Sequence, residues 1–278
     1  MSDRFERAAG ILREAVEAHA FPAACIEVGR KDRPLWNAAF GGLTFDPYAA
    51  LTKSSTIYDL ASLTKVLSTT TLAMRAVDEG RIALSDPVKK WLRAWRGADR
   101  EAVTIRHLLS HSSGLSAYFP FYRDHTGRAE FEHAICTLPL EFVPDTQSIY
   151  GDLGFILLGF ILENVAPRTT PFSGAPGAFD PRTALREQFH RVASYITPEP
   201  LAFNPPRTWR TRCAPTEVDE WRGRLLTGEV HDENCWALGG AAGHAGLFGT
   251  VGAVGDFARA ILRTFTANST LARRRTLQ

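Results

Sequence analysis

In the stretch YDLASLTKVLSTTTLAM, residues 58–74, Ser62 stands three residues before Lys65 at the head of a helical pattern. A neutral serine hydroxyl is a poor nucleophile and needs a base within hydrogen-bond reach. Positions i and i+3 of a helix share a face, with Cβ atoms about 5–6 Å apart, so a lysine can reach back to such a hydroxyl. To accept its proton the amine must be neutral, a form that burial and nearby positive potential favour. A helix start supplies that potential and a free backbone N–H able to hold an oxyanion. The motif also has a plainer reading, since Ser-x-x-Lys is common and a serine at a helix start is usually a cap. Lysine is scarce in this chain, at positions 31, 53, 65, 89 and 90 among 32 basic residues, which makes the spacing less expected by chance.

Other side chains of ligand type are present. VHDEN sets His231, Asp232 and Glu233 in a row. Adjacent residues rarely converge on one ion, so the expectation is a loop held by its own hydrogen bonds rather than a metal centre. His107 and His111 are i, i+4 on a predicted helix, a spacing open to a metal or a structural role. Cys25, Cys136, Cys213 and Cys235 form no C-x-x-C pair, which argues against a zinc ribbon or redox motif. They read as free buried thiols of a reducing compartment. No cofactor is expected.

The elements that must position these residues follow from periodicity. Residues 3–19 read as a helix with Phe5, Ala8, Ile11, Leu12, Ala15 and Val16 on one face. AACIEVGR and PLWNAAFGGLTF, separated by KDR, read as two antiparallel strands. Ser62 opens a helix that runs to about Glu79 and stops at Gly80. SDPVKKWL reads as another, with Pro87 in its first turn, and TIRHLLSHSSGL as a third, capped by Thr104 and ended near Gly114. Leu153 to Val165 is apolar on nearly every side and reads as a buried helix. Residues 167–212 are rich in Pro, Gly and Thr and read as loop, with a short helix at ALREQFHRVA. VGDFARAILRTF closes the pattern as an amphipathic helix. The order predicts one α+β domain over 1–278 with a helical middle, and 167–212 as its variable segment.

The net charge of +2 favours neither nucleic acid nor an acidic membrane as partner. LGFILLGFILENVA is too short to span a bilayer, which takes about 18 apolar residues or more, and it carries Glu163. The N-terminus is charged and lacks the apolar core of a signal peptide, so a cytoplasmic location is expected.

LASLTKV, followed by DEGRIALSDPVKKWL and VTIRHLLSHSSGL, resembles the serine β-lactamase and penicillin-binding-protein superfamily. The likeness is closest to its class C-like branch, which includes esterases and D-amino-acid peptidases. SIYGDLGFILLG resembles the family's second motif, Tyr-x-Asn or Tyr-x-Asp, with Tyr150 and Asp152. GEVHDENCWALGGAAGHAGLFGT is similar to a segment of penicillin-binding-protein 4B-like members. The resemblance implies a helical lobe plus an antiparallel sheet flanked by helices. It implies Ser62 as the acylated nucleophile, Lys65 as proton acceptor, Tyr150 as proton relay, and Asp152 as a group that binds substrate or holds Lys65. Aspartate, where many members carry asparagine, would favour protonated Lys65 and shift work to Tyr150. His107 and His111 are structural in this reading.

The family's third motif is Lys-Thr-Gly or His-x-Gly on a strand flanking the nucleophile. His244-Ala245-Gly246 fits it in letters. VGAVGDFARAIL resembles a helix that precedes the motif in the family, so the expectation is that the true motif and the C-terminal strands of the sheet are missing. The expected activity is hydrolysis of an ester or a D-amino-acid amide or peptide through an acyl-enzyme, with a β-lactam as a further ligand. The alternative is an inactive fragment or a ligand-binding member lacking the third motif.

Overall fold

The structure, a computed structural model, describes residues 3–167 and 184–265 together with Leu271 and Thr276. Its helices are α1 (Glu6–Glu17), α2 (Thr71–Asp78), α3 (Ile105–Leu109), α4 (Gly127–Thr137), α5 (Leu153–Asn164), α6 (Leu185–Ile196), α7 (Glu233–Ala237) and α8 (Val251–Thr264). Its strands are β1 (Ala23–Gly29), β2 (Pro34–Gly41), β3 (Tyr58–Asp59), β4 (Leu201–Phe203), β5 (Pro215–Asp219), β6 (Arg224–Thr227) and β7 (Leu247–Gly249).

Strands β1 and β2 pair antiparallel from Ala23↔Gly41 to Gly29↔Pro34, as the alternating segments around KDR predict. Phe5 stacks on Trp36 with ring centroids 5.1 Å apart, which lays the start of α1 on the hairpin. Phe5, Ala8, Leu12, Ala15 and Val16 of the expected inner face are half-buried and Ala9 is buried, whereas Ile11, also expected there, is 58% exposed. Helix α8 packs against β1, where Arg259 bonds both Glu27 and Asp256. Among the described residues this hairpin has no third strand.

Helix α5 is the centre of the helical lobe. Leu153 and every residue from Phe155 to Leu162 are buried, as expected of a segment apolar all round. Helices α2, α3, α4 and α6 and a π-helical turn at Lys65–Thr70 pack around it. Trp95, Phe131, Ile135 and Phe189 complete this core, each large side chain contributing about 1.5–3 kcal/mol by burial.

Three sequence expectations need correction. SDPVKKWL forms only a 3-10 turn at Val88–Lys90. Pro87 is extended, the Val88 N–H bonds the Val103 carbonyl at 2.9 Å, and the Ile105 N–H bonds the Asp86 carbonyl at 3.0 Å. Long-range pairing has overridden local helix preference there. Helix α3 ends before Ser110, because His111 adopts a φ of 57° that no α-helix accommodates. The loop-rich segment is more ordered than its composition suggests: besides the helix expected at ALREQFHRVA, observed as α6, it carries β4 and a 3-10 helix at Arg207–Arg212. Among the described residues, Pro198, Pro200, Pro205 and Pro206 flank these elements rather than interrupt them. The remainder of that prediction, residues 168–183, lies outside the described residues.

The three-stranded sheet β3–β7–β4 is small but places the site. Asp59 pairs with Phe248 across β3 and β7, so the strand after His244-Ala245-Gly246 lies beside the strand before Ser62. All four cysteines are free, and Cys136, Cys213 and Cys235 are buried.

Candidate active site

The turn carrying Ser62 is built by Asp59. Its Oδ1 accepts from the Ala61 N–H at 2.9 Å and its Oδ2 from the His231 N–H at 2.8 Å. Burial raises the Asp59 carboxyl above its ordinary value. Ala61 has φ 44°, a conformation that residues with a Cβ rarely adopt and that clusters at functional sites. The Leu60 N–H bonds the Leu247 carbonyl at 2.8 Å, anchoring the turn to β7. The Ser62 N–H has no partner among the described residues, while its carbonyl accepts from Lys65 N at 3.1 Å.

Lys65 is 2% exposed, so its charge must be met by protein groups. Its Nζ donates to Ser62 Oγ at 2.9 Å and to Asp152 Oδ1 at 2.7 Å, and it lies 3.5 Å from the His244 carbonyl. An ammonium has three donors, and these are three acceptors. The helix widens to a π-turn from Lys65 to Thr70, a distortion frequent at functional sites. Asp152 reaches Lys65 because it immediately precedes α5, and its own N–H bonds the Ala117 carbonyl at 2.8 Å. Tyr150 is 59% exposed and presents its ring, not its hydroxyl, to Lys65, with Nζ 4.8 Å from the centroid. All four predicted site residues therefore meet at one place. A cavity of about 630 Å³ elsewhere, lined by Arg128, Glu163, Leu185 and Asn204, touches none of them.

Residues 8–277 match the family described as Beta-lactamase. The chain belongs to that family. A Bacillus subtilis (strain 168) relative named N-acetylmuramyl-L-alanine amidase is 26% identical over 251 residues, covering 83% of this chain and 57% of that protein. A Salmonella agona relative named putative D-alanyl-D-alanine carboxypeptidase is 26% identical over 267 residues, covering 89% of this chain and 61% of that protein. The chain thus spans about three-fifths of the length of these relatives. Among solved structures, the class C β-lactamase of Rhodobacter sphaeroides superposes with a TM-score of 0.71 at 16% identity, covering 97% of this chain and 68% of that one. EstCE1, titled a hydrolase with promiscuous acyltransferase activity, gives 0.70 at 21%, covering 98% and 74%. The α+β, class C β-lactamase-like fold expected from the sequence is the fold observed.

Further groups surround the four residues of this β-lactamase-family chain. His111 sits in the site: its ring is 4.7 Å from that of Tyr150 and 5.0 Å from that of Phe155, and its Nδ1 accepts from the Gly151 N–H at 3.2 Å. Burial first, and then the charge of Lys65, hold it below the ordinary histidine value. His107 is structural, its Nδ1 accepting from the Thr104 N–H that opens α3. His231 pairs with Glu217 at 2.7 Å on the surface, and among the described residues no cluster suits a metal. His244 is buried, with Nε2 2.8 Å from Asp232 Oδ1, so its backbone carbonyl rather than its ring faces Lys65.

Asp232 also caps α7, its Oδ1 accepting from the Cys235 N–H at 2.6 Å. Burial pushes its carboxyl up, but His244, the Cys235 N–H and Lys65 outweigh this and bring it from 3.8 down to about 2. A carboxyl depressed on folding contributes stability above its unfolded value, here on the order of 2 kcal/mol, which is lost as pH falls from about 4 toward 2. Urea unfolding midpoints measured down this range will fall for the wild type. They will fall less for Asp232→Asn, which keeps the cap but does not titrate.

Proposed function

We propose that this chain is a serine hydrolase that works through an acyl-enzyme on Ser62. The 2.9 Å approach of the buried Lys65 Nζ to Ser62 Oγ carries the reading, because it supplies the base a serine nucleophile requires. With Lys65 as the neutral amine, Ser62 Oγ attacks the substrate carbonyl, forming the Oγ–C bond, as the hydroxyl proton passes to the lone pair of Lys65 Nζ. The unpartnered Ser62 N–H, on the strained turn after Ala61, faces the developing oxyanion. The C–O or C–N bond then breaks as the leaving group takes a proton. Tyr150 relays that proton once its exposed ring turns its hydroxyl toward the pair. Water releases the acyl group by the same steps in reverse. Asp152 holds Lys65 and offers its other oxygen to substrate.

The substrate class is an ester or a D-amino-acid amide or short peptide, with β-lactams as acylating ligands. Support comes from relatives named for amidase and carboxypeptidase activity and from the fold shared with EstCE1. A second reading, ligand binding without turnover, draws on the 2.7 Å Lys65–Asp152 ion pair, since that carboxylate competes with Ser62 for Lys65. A fluorophosphonate probe separates the two. The expected result is one adduct by intact mass, mapped by peptide sequencing to residue 62. A folded chain that stays unlabelled excludes the acyl-enzyme reading.

A further inference from the structure

Two motifs remain without a role in this chemistry, VHDEN and GHAG, and the fold joins them. Gly239, Gly240 and Gly246, all with positive φ, fold the chain back so that His244 Nε2 meets Asp232 Oδ1 at 2.8 Å. A carboxylate accepts, so Nε2 carries a proton. The ring is 1% exposed and its Nδ1 has no partner among the described residues. A buried imidazole with one nitrogen unmet is costly as mere packing, where an apolar side chain would serve without that cost.

The segment held by this pair is bound on its other side to the helix of Lys65. Thr69 Oγ1 donates to the Gly243 carbonyl at 2.6 Å, and the Leu247 N–H donates to Thr64 Oγ1 at 3.1 Å. Cys235 Sγ donates to the Ala245 carbonyl at 3.2 Å from the first turn of α7, which Asp232 caps. Between these ties the His244 carbonyl points at Lys65 Nζ from 3.5 Å, the outer limit of a hydrogen bond.

That placement matters most when Lys65 is neutral. A neutral amine has two N–H groups and one lone pair. If Asp152 and the His244 carbonyl take the two N–H groups, the lone pair is left facing Ser62 Oγ. If the carbonyl withdraws, the amine rotates and the lone pair is no longer directed.

We propose that Asp232 and His244 form a buried positioning pair that fixes the His244 carbonyl against Lys65 and so aims the Lys65 lone pair at Ser62. The pair touches no substrate atom. The inference rests on the proposed hydrolase reading for its consequence but not for its geometry, and the test treats the two separately.

The chain is produced with 13Cε-labelled lysine, and the Lys65 resonance is assigned by its loss in Lys65→Arg. Three variants are compared with wild type. His244→Leu removes the donor to Asp232. His244→Gln keeps an amide N–H at the position of Nε2. Asp232→Ser keeps a cap for the Cys235 N–H but is too short to hold the ring, and it tests the pair where the leucine variant fails to fold. The expected result is a displaced Lys65 13Cε shift in His244→Leu and Asp232→Ser, and a near wild-type shift in His244→Gln. Labelling of Ser62 by a fluorophosphonate slows roughly 100-fold in the first two, as for a reacting group misplaced by about 1 Å, and recovers most of its rate in the glutamine variant. A purely structural pair lowers the melting temperature without moving the Lys65 resonance of the folded state. That outcome in both folded variants overturns the proposal. A Lys65 resonance that responds while wild-type Ser62 stays unlabelled overturns the hydrolase reading and leaves the positioning pair standing.

Discussion

Replacing Lys65 by methionine slows acylation of Ser62 by about 10²–10⁴-fold, the contribution of a positioned general base. The side chain is of similar length and keeps the apolar stem packed, so the change removes the amine and little else. Asp152 and the His244 carbonyl lose their shared partner, and Ser62 Oγ loses the group 2.9 Å away that can accept its proton. The stability cost is below the roughly 3–5 kcal/mol of breaking a fully buried ion pair, because the Asp152 side chain is 22% exposed and takes up water. Lys65→Arg separates charge from basicity. A guanidinium keeps the positive charge but cannot deprotonate at working pH. If Lys65 acts as base, the arginine variant is as slow as the methionine variant. If it serves only as a counter-charge, arginine restores the rate. Time-resolved intact-mass measurement of the fluorophosphonate adduct reads all three chains. A methionine variant within threefold of wild type transfers the base role to another group, such as Tyr150, whose ring lies 4.8 Å from Lys65 Nζ.

The elements that could be read in advance are those whose evidence is local. Helix α5 announces itself because an apolar run with no polar face has only a core to enter. The β1–β2 hairpin follows from two alternating runs around a charged turn. Ser62 and Lys65 are legible because their relation is one helical turn. Tyr150 and Asp152 are legible only through resemblance, since nothing local says that a chain 87 residues later returns to Lys65.

What was hidden depends on distant contacts or on backbone conformations that spacing does not encode. Helical periodicity places His111 beside His107, but the φ of 57° at His111 turns the chain out of α3 and sends its ring to Tyr150. The segment after Ser85 has helix-forming residues, yet its backbone groups pair with residues near 103–105. Ser62-x-x-Lys65 predicts an ordinary α-helix, whereas Lys65–Thr70 is a π-turn whose Thr69, like the preceding Thr64, is tied to the 243–247 segment. Asp232 and His244 each look like loop residues until the glycines between them fold them together. The site is thus legible in its chemistry and hidden in its supports.

The tightest of those supports gives the largest expected effect on stability. Gly243→Ala places a methyl 1.9 Å from the carbonyl oxygen of Phe155 and 3.0 Å from the backbone nitrogen of Gly159. Neither is a side-chain tip that can rotate away. Both belong to the backbone of α5, the buried centre of the lobe, so either the helix or the 243–247 segment must move. Relieving the clash takes more than 1 Å, and the second route pulls the Gly243 carbonyl from Thr69 Oγ1 and the His244 carbonyl from Lys65. The expected loss is about 4 kcal/mol or more, in the range reserved for severe overpacking or a broken buried network. Chemical denaturation will show it as a large fall in midpoint or as failure to fold. The reciprocal change gives the control. Gly159→Ala meets Gly243 N at 3.1 Å and its Cα at 3.2 Å, contacts that a shift of a few tenths of an ångström relieves, so its loss is much smaller. Equal losses for the two variants would mean that the close approach of the 243–247 segment to α5 is not what holds the His244 carbonyl against Lys65.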